Sequence, residues 1–431
     1  MKKVIFSAIA VIGLVFSGMA QGLQRDMQFW RPYDQRGLNI FETGKEDTVA
    51  YEGMRVRIGG HFAQQWQNLS HSNTAAPNVN ANGVNLNQLI DIGAGTNLAT
   101  ANLNIDVALA DGLRLNLITY LSSRRHPEAW VKGGYIQVDK LGFLNLGNTD
   151  WFDKYLTVRI GHMEINYGDA HFRRTDNGNA MYNPFVGNYI MDAFTTEVGG
   201  EVFFQSNGWL AMAAITGGEI QGGVTNPANR KPNFIGKFGY DSYFTDDLRV
   251  RLTGSIYTTS SSQRNTLWGG DRAGSRYYLV MENTLATTAA QFTSGRFNPN
   301  QTNNITAWVI NPFVKFHGLE FFGNFEQSKG AARGEANDRT WTQIGTDLLY
   351  RFGTHEKFYV AGRYNKVEGT LFGSGLDVSI DRVQIGGGWF VTKNLLAKLE
   401  YVNQNYNGFA ANDIRNGGKF NGLMIEAVVG F

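Results

Sequence analysis

The chain has 431 residues, 39 Lys+Arg against 37 Asp+Glu, no cysteine, 52 glycines, 13% aromatic residues and only 18% charged ones. Without cysteine there is no disulfide framework, thiolate metal site or cysteine nucleophile, and the balanced charge argues against a polycationic nucleic-acid binder. So much Gly, Asn and aromatic residue with so little charge suits an exported antiparallel barrel better than a soluble globule.

In chain order, the basic start Met1-Lys2-Lys3, the apolar run from Val4 to Phe16 and the small residues Gly18-Met19-Ala20 predict a secretory signal peptide over residues 1–20, cut after Ala20. The apolar run is shorter than the roughly 20 residues of a membrane-spanning helix. No later window reaches 18 consecutive apolar residues. Residues 21–50 show no alternation and read as a periplasmic N-terminal extension lying across a barrel mouth, too short for a plug domain.

From residue 51 to 431 the pattern changes to segments of about ten residues with a period of two, the signature of a transmembrane β-barrel. In the first, Val56, Ile58, Phe62 and Trp66 share one face, and Arg55, Arg57, His61, Gln65 and Gln67 the other. Arginine at mid-bilayer on the lipid face costs about 2–4 kcal/mol, so the arginines are expected in the lumen. Leu103, Ile105, Val107 and Leu109 are likewise outward, with Asn102, Asn104 and Asp106 inward. Asp111-Gly112 then reads as a hairpin turn before Leu113, Leu115 and Leu117.

Further tight turns are predicted at Ser206 to Gly208, Phe244 to Asp247, His317-Gly318, Gly353 to Glu356 and Thr392 to Asn394, with a longer connection from Asp139 to Lys154. Eight Asn/Gly/Ser-rich loops separate the strands at the other end, near residues 70–96, 124–130, 166–194, 218–231, 261–304, 328–338, 369–378 and 406–417. Arg276 to Val280 alternates briefly, but strand parity keeps it inside the fifth loop. Eight loops and seven turns predict an all-β fold: a closed antiparallel transmembrane barrel of about 16 strands, large enough for an aqueous passage. The last segment sets Leu423, Ile425, Ala427, Val429 and Phe431 on one face, and its final Phe is similar to the signal read by the barrel assembly machinery.

The functional expectation is an outer-membrane porin passing small hydrophilic solutes, in contact with outer-membrane lipid. Its pore would be lined by Arg55, Arg57, Arg114, Arg159, Arg249, Arg251, Arg363 and Arg382. Twelve inward cations against eight inward carboxylates predict a weak anion preference. The third loop, rich in aromatic and polar residues, is expected to fold back as a constriction bearing Asp169, His171, Arg173, Arg174 and Asp176. No catalytic residues, cofactor or metal are expected: Asp169-Ala-His171 lacks a third ligand at a recognisable spacing, and no nucleophile, base and orienting group occur together. Two other readings are a selective channel for phosphate or oligosaccharide, and a structural or adhesive surface barrel with a blocked lumen.

The stretch VRIGHMEINYG, Val158 to Gly168, resembles the strand-and-loop motif of the phosphate-selective porin O and P family, and FWRPYDQRGLNIFE looks like the opening of porin-like outer-membrane proteins of the Bacteroidota. The resemblance implies a 16-stranded trimeric channel, a third loop that narrows it, and Arg159 as a lumen residue. The family's phosphate channels carry an arginine ladder and a lysine cluster. In this chain the arginines are scattered and the lysine cluster is missing, so the resemblance reaches the fold further than the solute.

Overall fold

The computed structural model describes residues 26–176, 179–218, 227–270, 274 and 276–431; the leader expected over residues 1–20 lies outside them. Sixteen antiparallel strands form one sheet: β1 Arg55–Ser72, β2 Thr100–Ala110, β3 Leu113–Leu121, β4 Ala129–Val138, β5 Leu156–Glu164, β6 Thr196–Ser206, β7 Trp209–Thr216 and β8 Asn233–Tyr243. The second half comprises β9 Leu248–Thr259, β10 Asn304–Phe316, β11 Leu319–Ala331, β12 Arg339–Phe352, β13 Phe358–Thr370, β14 Asp377–Thr392, β15 Leu395–Asn407 and β16 Lys419–Gly430. Each pairs with its chain neighbour, and β16 pairs with β1 from His61 opposite Gly430 to Ser72 opposite Lys419. Closure leaves no open edge. A two-residue ladder, Gly95–Thr96, adds a short pairing on β1 ahead of β2.

The predicted period sets the faces. Val56, Ile58 and Phe62 are exposed on β1, whereas Arg57, His61, Gln65 and Gln67 are buried inside. On β16, Leu423, Ile425 and Val429 point out and Met424, Glu426 and Val428 point in. At the tight-turn end of the outer surface, Tyr350, Phe352, Phe358 and Trp389 form a stacked row with centroid spacings of 6.1, 5.7 and 6.1 Å. Such aromatic girdles sit where hydrocarbon meets headgroups. An apolar outer band over polar inner side chains is the arrangement of a barrel that spans a membrane with strands.

All seven predicted turns connect the expected strands. Asn207 and Gly208 both take positive φ, 49° and 84°, as a two-residue hairpin twisted like its strands requires. The connection 139–155 carries a short helix, α1 Asp150–Tyr155, with two aspartates in its first turn where the helix dipole favours them. At the opposite end the eight long connections fall where expected, except that β11 continues to Ala331, past the predicted loop start. Arg276 to Val280 forms no strand and lies in the fifth connection, 260–303.

Candidate functional site

Three segments without regular strand structure bond, through their described residues, to inward side chains of the barrel wall. Irregular backbone away from water needs hydrogen-bond partners for every N–H and C=O. Here inward side chains of the wall supply many of them, alongside bonds within the segments.

The third connection, 165–195, is held at many of its described residues. Lys398 on β15 donates to the carbonyls of Ala180, Asn183 and Phe185 at 2.7, 3.1 and 3.0 Å, and Glu400 accepts from the Val186 amide at 2.7 Å. Arg363 on β13 donates to Gly187 O at 3.0 Å, and Arg382 on β14 to Asn188 O at 2.6 Å. The Ile190 amide donates to Asn365 at 2.6 Å, and Gln343 brackets Met191, accepting from its N–H and donating to its C=O. Arg173 pairs with Glu320 on β11 at 2.6 Å, and Arg174 grips Asp192 through two bonds of 2.8 and 2.6 Å. Asp176 pairs with Lys132 on β4, and its carbonyl accepts from Asn102 at 2.8 Å. His171 lies 3.5 Å from Glu164, and burial lowers its pKa, so it is neutral at pH 7.

The N-terminal segment crosses the tight-turn end. The Gln35 amide donates to Lys393 O at 2.8 Å, Tyr33 OH to Asp106 on β2 at 2.6 Å, Asn39 to Glu320 at 2.7 Å, and Lys45 to Asp139 O at 2.6 Å. Those anchors stand on widely separated parts of the wall.

Segment, loop and wall meet in one buried cluster. Asp169 accepts from Arg251 Nε and Nη2 at 2.8 Å each and from Thr253 Oγ1 at 2.8 Å, and lies 2.6 Å from Lys237 Nζ. Glu42 reaches the same Arg251 and Lys237 at 2.7 and 2.8 Å. Burial pushes the Asp169 pKa up, but Arg251 and Lys237 outweigh it and pull it down to about 2. Glu42, under the same opposition of burial and cations, is held well below the usual carboxylate range.

The fifth connection enters from the long-loop end. Tyr277 OH donates to Glu400 at 2.6 Å, the Phe297 amide donates to Ile190 O at 2.8 Å, and the Phe297 ring lies 4.5 Å from Trp341. With Leu267, Trp268 and Val280 these residues form an apolar layer against the third connection. That layer has no counterpart in the sequence reading, which placed Arg276 to Val280 inside the fifth loop without assigning that loop a path.

One open space lies at the tight-turn end beside Arg249, Lys315 and Arg351; another lies between the β2–β6 wall and the third connection. A cavity of about 190 Å³ is bounded by the N-terminal segment, this wall and the third connection. Its charged lining is Arg31, Arg114, Lys132, Arg159 and Arg174 against Glu164, Asp176 and Glu201. Arg159 pairs with Glu201 at 3.2 Å and Arg114 with Asp106 at 2.7 Å, Asp106 standing outside the lining set.

The arginines singled out from the sequence therefore occupy three settings. Arg114 and Arg159 line the cavity. Arg249, Arg251, Arg363 and Arg382 are bonded to the N-terminal segment or the third connection, Arg249 through Asn39 O at 2.9 Å. Arg57 lies 4.3 Å from the Trp30 ring, and Arg55 pairs with Glu52 at 2.6 Å near the tight-turn rim. Of the loop residues, His171, Arg174 and Asp176 border the cavity, whereas Asp169 and Arg173 face the opposite wall. Arg31, Glu42 and Lys132 were missed: the first two lie in the stretch without periodicity, and the third is the residue left out of the pairing at a local register shift where β4 meets β3.

No protein-family model matches the chain, and no curated protein matches it in sequence. Among solved structures it is similar to the outer membrane channel DcaP of Acinetobacter baumannii, with a TM-score of 0.53 and 10% identity over 89% of this chain and 99% of that one. It is also similar to an anion-selective porin from Comamonas acidovorans (TM-score 0.52, 12% identity, 88% and 100% covered) and to OmpT, an outer membrane protein of Vibrio cholerae (0.51, 10%, 89% and 99%). At such identities the likeness is one of fold: a closed 16-stranded antiparallel barrel.

Proposed function

We propose that this chain is an outer-membrane porin through which small hydrophilic solutes diffuse passively, with a weak preference for anions. The observation that carries the reading is the charged cavity beside the β2–β6 wall, whose lining holds five cations and three carboxylates. The preference is weak because four of those cations have carboxylate partners. The third connection acts as the constriction, pinned to one side of the lumen, and residues 21–50 form a periplasmic strap ahead of the barrel at 51–431.

The fold shared with an anion-selective porin and an outer membrane channel supports this reading. The motif from Val158 to Gly168 supports a finer placement in the phosphate-selective porin family, with Arg159 in the conduit. Assembly as a homotrimer is part of the proposal; a trimer form is known for the structurally similar OmpT of Vibrio cholerae. Insertion by the barrel assembly machinery and contact with outer-membrane lipid complete it. No catalytic role is assigned.

A second reading, a surface barrel with a blocked lumen, is favoured by the apolar layer of the fifth connection. Planar-bilayer recording separates the two. The porin gives discrete conductance steps and, in a potassium chloride gradient, a reversal potential of the sign for chloride. Folded protein that inserts without conducting overturns it in favour of the blocked barrel, and a cation-selective potential overturns the anion preference.

A further inference from the structure

Arg31 stands apart from the other cations of the cavity. Its Nε donates to Gly37 O at 2.9 Å and its Nη2 to Phe172 O at 3.0 Å, so both bonds go to neutral carbonyls. Among the described residues no carboxylate lies within 4 Å of it, whereas Arg114, Lys132, Arg159 and Arg174 each have one. The guanidinium lies 3.7 Å from the centroid of the Tyr182 ring and 5.9 Å from that of Phe172. Burial lowers its pKa, the mark of a charge whose lost hydration is not fully replaced. Glu164, on the same cavity, acts on Arg31 only from beyond ion-pair distance; a desolvated cation without a directly paired carboxylate is costly, and an anion brought into contact with it lowers that cost.

The rest of the cavity limits which anion. Trp30, Tyr33, Phe41, Tyr135, Phe172 and Tyr182 contribute rings to its lining. Inorganic phosphate wants donors on every side and gains nothing from ring faces, whereas an organic acid lays its apolar body on them and turns its head group to the arginine. The space suits a ring: about 150 Å³ holds benzene in an apolar cavity, and this one is about 190 Å³.

We propose that the cavity between the N-terminal segment, the β2–β6 wall and the third connection is a binding site for a small organic carboxylate, with Arg31 as counter-ion to its head group and the aromatic rings holding its hydrocarbon. The inference names the solute class of the conduit and so rests on the porin reading. Its test has a readout independent of conduction.

Benzoate and inorganic phosphate are titrated by calorimetry into the folded full-length barrel in detergent, then added to one side of a bilayer holding the same protein. Saturable benzoate binding, tighter than that of phosphate and weakened at least tenfold in Arg31→Gln but less in Arg31→Lys, is the expected result. If the barrel folds and benzoate does not bind, or phosphate binds more tightly, the carboxylate site is overturned whether or not the channel conducts. If benzoate binds through Arg31 yet no current is seen, the site stands and the porin reading fails. If current flows and benzoate neither binds nor blocks it, the porin stands and the site fails. Should Arg31→Gln fail to fold, the wild-type comparison of benzoate with phosphate still decides.

Discussion

Replacing Asp169 by Asn removes the carboxylate that ties the third connection to β8 and β9. Asp169 accepts two bonds from Arg251 and one from Thr253 and pairs with Lys237, so the variant leaves two buried cations sharing Glu42, with Asp241 reaching only Arg251. The cost has a floor from linkage. Arg251 and Lys237 pull the pKa of Asp169 down to about 2 from an ordinary 3.8, and at about 1.36 kcal/mol per pH unit that is worth on the order of 2 kcal/mol. Breaking a buried pair from one side typically costs about 3–5 kcal/mol, which sets the ceiling.

Because the folded pKa is depressed, this stabilisation is complete above the ordinary value and drains away as pH falls from about 4 towards 2. The barrel wall does not depend on Asp169, so the loss is local: the third connection opens more often while the sheet stays paired. Hydrogen exchange of the amides over 168–176 reads it directly. At pH 7 the variant's exchange is faster by roughly tenfold or more, the order of the floor, while amides of β12 to β15 are unchanged. In the wild type the same amides lose protection between about pH 4 and 2, a dependence smaller in the variant, where Glu42 and Glu320 still titrate. Equal exchange in the two proteins at pH 7 would refute the latch.

The strap across the tight-turn end predicts that deleting residues 26–50 raises single-channel conductance, since Tyr33, Asn39 and Lys45 no longer bridge the mouth; unchanged conductance means that the segment does not limit flow. Arg159→Gln, which removes a cavity cation, lowers the chloride-over-potassium permeability ratio measured from reversal potentials, and an unaltered ratio removes Arg159 from the conduit. Ile425→Arg places a charge on the exposed outer face of β16 and costs about 2–4 kcal/mol in denaturant unfolding from lipid bilayers. A loss below about 1 kcal/mol would show that this face does not meet the bilayer midplane.

Strand number, order, facing and turn positions were all legible in the amino-acid sequence, because they follow from local rules. A period of two puts alternate side chains on opposite faces, and lipid outside against polar groups inside leaves one register acceptable per strand. Of the twelve cations expected inward, Arg57, Arg114, Lys237, Arg251, Arg351, Arg363, Arg382 and Lys398 are buried and Arg55, Arg159, Arg249 and Lys315 half-buried, while the carboxylates Asp106, Glu197, Glu201, Glu320, Glu326, Asp347, Glu400 and Glu426 are all buried. Strand parity alone kept Arg276 to Val280 out of the wall.

Only the tertiary structure decided what those inward groups do. Lys398 and Glu400 serve backbone atoms of a loop more than 200 residues earlier in the chain, Arg251 serves Asp169 and Glu42 from two different segments, and Tyr277 reaches Glu400 from the fifth connection. A side chain's facing depends on its own strand, but its partner depends on where irregular segments fold, and those segments carry no periodicity to read. Whether a lumenal arginine borders open space, like Arg114 and Arg159, or holds a loop in place, like Arg363 and Arg382, is therefore set by long-range packing and appears only once the barrel has closed around its contents.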